Sequence, residues 1–292
     1  MAGPRRSNDR NSNSAASGWK LLALIFFVLL SSAAGCSLLT SHGTSSNAAP
    51  SADVSRGREL TAALVERGRE FTSMQASAVM EYRAPDQHAK AREQIMVRRP
   101  ADLRVEAQSP FGLALVVAAN ESSIGIFDPS SNTLYRGAPS AESLNRFAQI
   151  PLAPGPAVNL LMGLAPGSEE FNRAPDSVSA EGAIIVASYN GSGGSTTELG
   201  FEAAELALVR QRRQGVVYYE VRYSDYQDIG GVQFAHRIEA DFPSAHTHVN
   251  FTFQHPIING TLNDSLFALK PGPSTKQVDL DRISDPAAEL HG

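Results

Sequence analysis

Cysteine is nearly absent from this 292-residue chain: Cys36 is the single one, which excludes a disulfide framework and a thiolate zinc site. Seven scattered histidines leave a large metal centre without ligands. There is no excess of basic charge. The chain carries 25 Lys and Arg against 30 Asp and Glu, a net charge of −5. The first 35 residues hold four basic side chains and one acidic one, so the remainder carries −8. An acidic body without a basic stripe argues against nucleic acid as the partner. Nor is there an apolar run long enough to cross a bilayer. The segment Leu21–Leu30 has ten residues, where a spanning helix needs about 20. Nucleophile elbow, Walker loop, His-Glu-x-x-His and dinucleotide fingerprint are all missing. What is present is 42% hydrophobic and 19% charged residues with 23 Gly and 17 Pro. That composition describes a folded, loop-punctuated protein and excludes whole-chain disorder, collagen or a coiled coil.

Arg5, Arg6, Arg10 and Lys20 precede the apolar run, and Ser31-Ser32-Ala33-Ala34-Gly35-Cys36 follows it. A basic start, a short apolar stretch and small residues at the cut describe a secretory signal peptide over residues 1–35. From Ser37 to about Ser55 the chain is Ser, Thr, Asn, Ala, Gly and Pro with almost no charge. Such a segment forms no core and reads as a flexible tether with an r.m.s. span of ~25 Å.

Beyond it, Leu60, Leu64 and Phe71 lie on one stripe of a helix expected over 56–72. The period then falls to two. Strands are expected at 74–83, 89–98, 102–108, 113–119, 123–127 and 133–136, separated by Pro-, Gly- and Asn-containing links of a few residues. Links that short permit only an antiparallel meander. Helical patterns follow from Ser140 and over 156–162, the second ending at Gly163. Strands resume over 178–189, 196–201, 206–213, 216–223, 232–241 and 246–254, with a hairpin turn at Gly191–Gly194. The count is about eleven or twelve strands with three helices in one domain over 56–275, followed by a tail. Strand 113–119 is apolar on both faces, which a sheet buried on one side does not require. Either helices cover one face and something apolar the other, or the strand sits deepest in the curve.

His246-x-His248 is a possible start of a metal site, but its strand offers no third ligand at short spacing, so two surface histidines are expected. No pair of carboxylates stands out for acid–base catalysis.

Four stretches, in order, resemble the LolA/LolB-like lipoprotein-carrier superfamily, most closely its outer-membrane receptor branch. They are Val97-Arg98-Arg99-Pro100 with Leu103-Arg104-Val105-Glu106; Ser109-Pro110-Phe111-Gly112; Ile150-Pro151-Leu152 with Leu160-Leu161-Met162-Gly163 and Pro166; and Asn259, Leu262, Phe267 and Pro271. They span about residues 60 to 273, behind a segment that resembles a bacterial lipobox with Cys36 as its acylated residue. Ala33 stands where Leu is usual in that motif. The Gly-rich segment 191–194 and the tail after Lys276 depart from the family pattern.

The resemblance implies an unclosed antiparallel half-barrel, mainly β, with helices over its concave face and an apolar cavity between. It implies a carrier and not an enzyme, without cofactor or metal, lipid-anchored at the periplasmic face of the outer membrane. Its partners would be acylated lipoproteins, a periplasmic lipoprotein shuttle and the membrane, and it would act as a monomer. Arg99 would hold the helical lid. Pro110, Phe111 and Gly112 would form a membrane-insertion loop. Leu113, Leu115, Leu144, Phe147, Ile150, Leu160, Leu161 and Met162 would line the lipid site. A structural envelope lipoprotein, or a carrier of a different lipid, remains open from the sequence.

If Cys36 carries the acyl chains, Cys36→Ala should abolish palmitate labelling in cells. Labelling that persists in the variant would end the lipoprotein reading.

Overall fold

The computed structural model describes residues 52–110, 112–148, 150–167 and 169–282. The signal segment, Cys36 and the tether up to residue 51 therefore lie outside the described residues. The first helix, α1 (Ala52–Glu70), begins ahead of the expected start at 56. Six antiparallel strands follow as a meander: β1 (Ser73–Ala84), β2 (Gln87–Arg98), β3 (Asp102–Ser109), β4 (Gly112–Ala119), β5 (Ile124–Asp128) and β6 (Thr133–Gly137). Two short helices come next, α2 (Ala141–Ala148) and α3 (Pro154–Leu161). The second meander is β7 (Ser177–Glu181), β8 (Ile184–Asn190), β9 (Ser195–Glu202), β10 (Glu205–Arg213), β11 (Val216–Ile229), β12 (Val232–Phe242) and β13 (Thr247–Ile258). A short β14 (Lys276–Asp279) closes the series.

All fourteen strands form one sheet in the order β14-β6-β5-β4-β3-β2-β1-β13-β12-β11-β10-β9-β8-β7. Among the described residues the sheet is unclosed, because β14 and β7 each have one edge without a partner strand. Its seam is β1–β13, where Met80 faces Phe251 and Ala78 faces Phe253. Alternation along β1 sets the two faces: Met74, Ala76, Ala78 and Tyr82 are buried on the concave side, while Ser77, Glu81 and Arg83 point outward. This is the mainly β half-barrel that the sequence implied, with α1, α2 and α3 as its helices. Among the described residues no helix is long and apolar enough to cross a membrane.

Four departures have physical causes. Residues 178–189 form two strands, because Gly182 at φ +65° allows a two-residue turn into β8. Strand β11 continues to Ile229, although Ser224, Asp225, Gln227 and Asp228 are exposed. There Asp225, at φ +57°, breaks the alternation, while Tyr226 and Ile229 still pack at the margin of the core. Strand β13 starts at Thr247 and not at His246, which sits in a left-handed turn at φ +49°. Finally, Lys276–Asp279 pairs in parallel with β6, so the folded body runs past the boundary read at 275. Lys276 and Gln277 are exposed edge residues, and only Val278 is apolar.

The C-terminal half of strand β4 is apolar on both faces because protein covers both there. Val117 and Ala119 face the helices, and the outer Val116 and Ala118 are 3% and 1% exposed. Outside β2–β5 runs the segment from Asn259 to Gly272. Arg98 donates to the Leu262 carbonyl (3.2 Å), Arg104 to that of Leu266 (2.8 Å) and Asn120 to that of Phe267 (3.2 Å). Leu262 and Phe267 pack on Met96, with the Arg98 guanidinium 5.0 Å from the Phe267 ring centroid. Asn259, at φ +56°, ties the strap to the start of the sheet. Its Oδ1 accepts from the Thr72 N–H (2.9 Å) and its Nδ2 donates to the Glu70 carbonyl (2.8 Å).

Phe267 is 1% exposed. Phe267→Ala should lower unfolding free energy by about 3–5 kcal/mol in urea titration. A loss below about 1 kcal/mol, the level of a surface change, would show that the strap does not seal the outer face.

Candidate functional site: the concave face and its helices

The concave side of the sheet is filled by the chain's own helices. Leu60, Leu64 and, just after α1, Phe71 are 4%, 5% and 0% exposed. From the second helical segment come Leu144, Val158, Leu160 and Met162, all buried in the same continuous core. Opposite them stand Ile95, Val97, Leu103, Leu199, Phe201, Val221 and Phe234. The apolar space expected between sheet and lid is thus occupied by side chains of α1 and α3.

Polar latches hold these helices at their C-terminal ends, where backbone carbonyls have no partner within the helix. Arg99 donates from Nε to Asn159 Oδ1 of α3 (3.1 Å) and from a terminal nitrogen to the Gly68 carbonyl of α1. Asn159 in turn donates to the Pro166 carbonyl (3.3 Å). Arg67 reaches the Gly163 carbonyl (2.9 Å) and pairs with Glu205 of β10 (2.9 Å). Tyr223 of β11 donates to the Leu160 carbonyl (3.1 Å) and Tyr218 to that of Pro151 (3.3 Å). Guanidinium groups at helix C-termini also oppose the negative end of the helix dipole. Burial pulls the Arg99 proton affinity down and pushes the Tyr223 phenol well up. Both groups remain hydrogen-bond donors at neutral pH.

Toward the β1–β2 and β3–β4 turns the cover thins. Met80, Ala89, Val105, Leu115, Val117 and Phe251 are only partly buried. At the β3–β4 turn Pro110 is exposed, and Gly112, at φ +118°, has open space around it. The adjoining Leu113 is 44% exposed. Phe111 lies outside the described residues, and so does the side chain of Phe147 in α2. Of the other expected lipid-site residues, Leu144, Leu160 and Met162 are core, while Leu115, Ile150 and Leu161 pack at its margin.

Two hollows open elsewhere, on the outer side. One of about 420 Å³ is lined by Val79, Glu81, Lys90, Arg237, Asn250 and Thr252, with a Lys90–Glu81 ion pair at 2.6 Å. The other, of about 580 Å³, lies beside the β12–β13 turn. There His248 Nδ1 is 2.8 Å from the Asp241 carboxylate. Charged and hydrogen-bonding groups line the first, whereas the second mixes Val217, Phe242 and Pro243 with Glu220, Asp241, His246 and His248.

Sequence reasoning missed Arg67, Asn159, Tyr223 and Glu93. A basic residue in the last turn of α1 was a legible signal for Arg67. Glu93 was legible too, as the one acid in the alternating row Ala89, Ala91, Glu93, Ile95, Val97. Asn159 and Tyr223 had no local signal, because their partners are distant in sequence.

No protein-family model and no curated protein matches this chain. Solved structures do. A DUF1329 family protein from Desulfovibrio piger ATCC 29098 superimposes with a TM-score of 0.52 at 10% identity, covering 74% of this chain and 97% of that one. At that identity the likeness establishes a shared fold. An outer membrane lipoprotein-sorting protein domain from Vibrio parahaemolyticus matches with TM-score 0.47 at 8% identity, over 73% of this chain and 97% of its own. A LolA superfamily protein from Nitrosomonas europaea matches with TM-score 0.47 at 13% identity, over 72% and 97%.

Arg99→Leu removes both latches from one side chain. The expected cost is about 1.5–3 kcal/mol for a charge-assisted hydrogen bond to be lost, read as faster hydrogen exchange over residues 141–163. Unchanged exchange there would make Arg99 an ordinary turn residue.

Proposed function

We propose that the protein is an envelope lipoprotein, anchored through acylated Cys36, that binds the acyl chains of other lipoproteins on its concave face. In this reading it helps deliver them to the outer membrane and catalyses no covalent chemistry. The observation that carries the proposal is the nature of the concave cover. A continuous apolar face is covered by helices fixed through a few side-chain latches to backbone carbonyls, with a partly open apolar margin beside them. Such a cover can be displaced by another apolar occupant without unpairing any strand.

The sequence resemblance supports the same reading, since its motifs fall on working parts of the fold. Arg99 latches α1 and α3, Leu160 to Gly163 form the end of α3 and the turn after it, and Asn259, Leu262 and Phe267 form the outer strap. A C16 chain transferred from water offers on the order of 10 kcal/mol before entropy, at about 0.8 kcal/mol per CH₂. Helix side chains that leave the same surface return part of that. Net affinity then stays low enough for release.

Pro110, Phe111 and Gly112, with exposed Leu113 next to them, would enter the membrane or the mouth of the shuttle during delivery. The test uses the chain from Ala48 to Gly292, which contains the whole described sheet, its helices and its core. A fluorescent fatty-acid analogue should bind and be displaced by a palmitoylated peptide far better than by the same peptide without its acyl chain. Equal competition by the two peptides would contradict the proposal. Phe111→Glu should preserve that binding and impair transfer of a labelled lipoprotein to liposomes. Unimpaired transfer would remove the loop from the delivery step.

A further inference from the structure

Glu93 is the one acid buried on the concave face of β2, and it is 3% exposed. Its side chain lies on the same side as Ile95 and Val97, both 0% exposed. Among the described residues no hydrogen-bond partner reaches its Oε2. An unpartnered buried carboxyl destabilises a fold, and nothing about strand pairing calls for one here. Desolvation pushes its pKa up to about 7, so near neutral pH the proton is readily kept.

Its neighbours on this face are small. Across the strands Glu93 faces Ala78 of β1 and Ala107 of β3, and Ala91 precedes it on the same face. Its neighbours along and across the sheet on this face are therefore three methyl-sized side chains, while the carboxyl itself is covered. Along β2 it also marks a boundary. Ala89 and Ala91 on its open side are partly exposed, whereas Ile95 and Val97 on its closed side are fully covered. The partly open margin of Met80, Val105, Leu115, Val117 and Phe251 lies on this same face.

We propose that Glu93 is the polar anchor of the acyl site: its free carboxyl oxygen accepts a hydrogen bond from an N–H donor at the head of a bound acyl chain. An acyl amide supplies that donor next to the chain. An ester does not, and a free carboxylate meets a group of its own sign when Glu93 is ionised. The assignment rests on the acyl-carrier reading above and adds which linkage the site prefers.

The experiment displaces dansyl undecanoate from the Ala48–Gly292 chain with two palmitoyl peptides that differ only in an amide or an ester linkage. Measured about two pH units above its pKa of about 7, where Glu93 is ionised, the wild-type chain should favour the amide by about tenfold, as a charge-assisted hydrogen bond allows. Glu93→Leu should bind both with the affinity of the ester, and Glu93→Gln, which keeps an acceptor oxygen, should retain a preference for the amide. Equal displacement by both linkages in the wild-type chain would overturn the role of Glu93 while leaving acyl binding intact, and needs no variant to fold. An amide preference that survives in a folded Glu93→Leu chain would do the same. Failure of the wild-type chain to bind any acyl probe would overturn the carrier reading and the anchor together.

Discussion

The concave face of an unclosed sheet must be kept from water by something other than another strand. Here the cover is helical. Leu60, Leu64, Phe71, Val158, Leu160 and Met162 fill the curve, and each large apolar side chain buried there contributes about 1.5–3 kcal/mol. A closed barrel would have no free edges. The open sheet instead keeps α1 and α3 as separable pieces, latched by side chains rather than woven into the ladder. The apolar surface these helices cover is of the same order, in transfer free energy, as that of one long acyl chain. In the acyl-carrier reading proposed above, exchange between the two occupants would be close to balanced, and small polar contributions would set its direction.

The polar contributions concentrate at the β2–β3 turn. Arg98 and Arg99 are neighbours whose side chains leave on opposite faces of the sheet. Outside, Arg98 pairs with Asp102 (2.8 Å), reaches the Leu262 carbonyl and lies over Phe267. Inside, Arg99 holds Gly68 and Asn159. One turn thus secures both the outer strap and the inner helices. The strap is held to the outer face by hydrogen bonds from Arg98, Arg104 and Asn120 to its carbonyls, so it has the character of fixed structure. The inner side combines partly exposed apolar margins with the unpartnered Glu93, so it has the character of a site.

Much of the fold was legible in the sequence because most strands are covered on one face. Alternation in 74–83 and 102–108 placed β1 and β3 to within one residue at each end. The reading failed where burial is absent or arises from distant chain. The end of β11, where Asp225 breaks the alternation, and the edge strand β14 carry no regular apolar signal. Strand β4 carried a strong signal with two possible causes, and only the strap outside and the helices inside show which applies. Of the site, the apolar lid residues and Arg99 were visible through motif resemblance. The latch partners were not, because Asn159 and Tyr223 acquire their roles from contacts more than 50 positions away. That the concave space is filled by α1 and α3 could not be read from periodicity, which identifies an apolar stripe but not its occupant.

The central claim is that the helices must leave the concave face before an acyl chain can enter. A Cβ placed on Gly155, in the first turn of α3, would lie 3.9 Å from the Ala101 Cβ at the β2–β3 turn, a separation suited to a disulfide. The double variant Ala101→Cys, Gly155→Cys in the Ala48–Gly292 chain contains no other cysteine. Binding of a fluorescent fatty-acid analogue should fall at least about tenfold on oxidation and return with dithiothreitol, the scale expected when a binding-competent state is withheld. Equal affinity in the oxidised and reduced forms would contradict the account, because the acyl site would then be open while α3 is fixed in place.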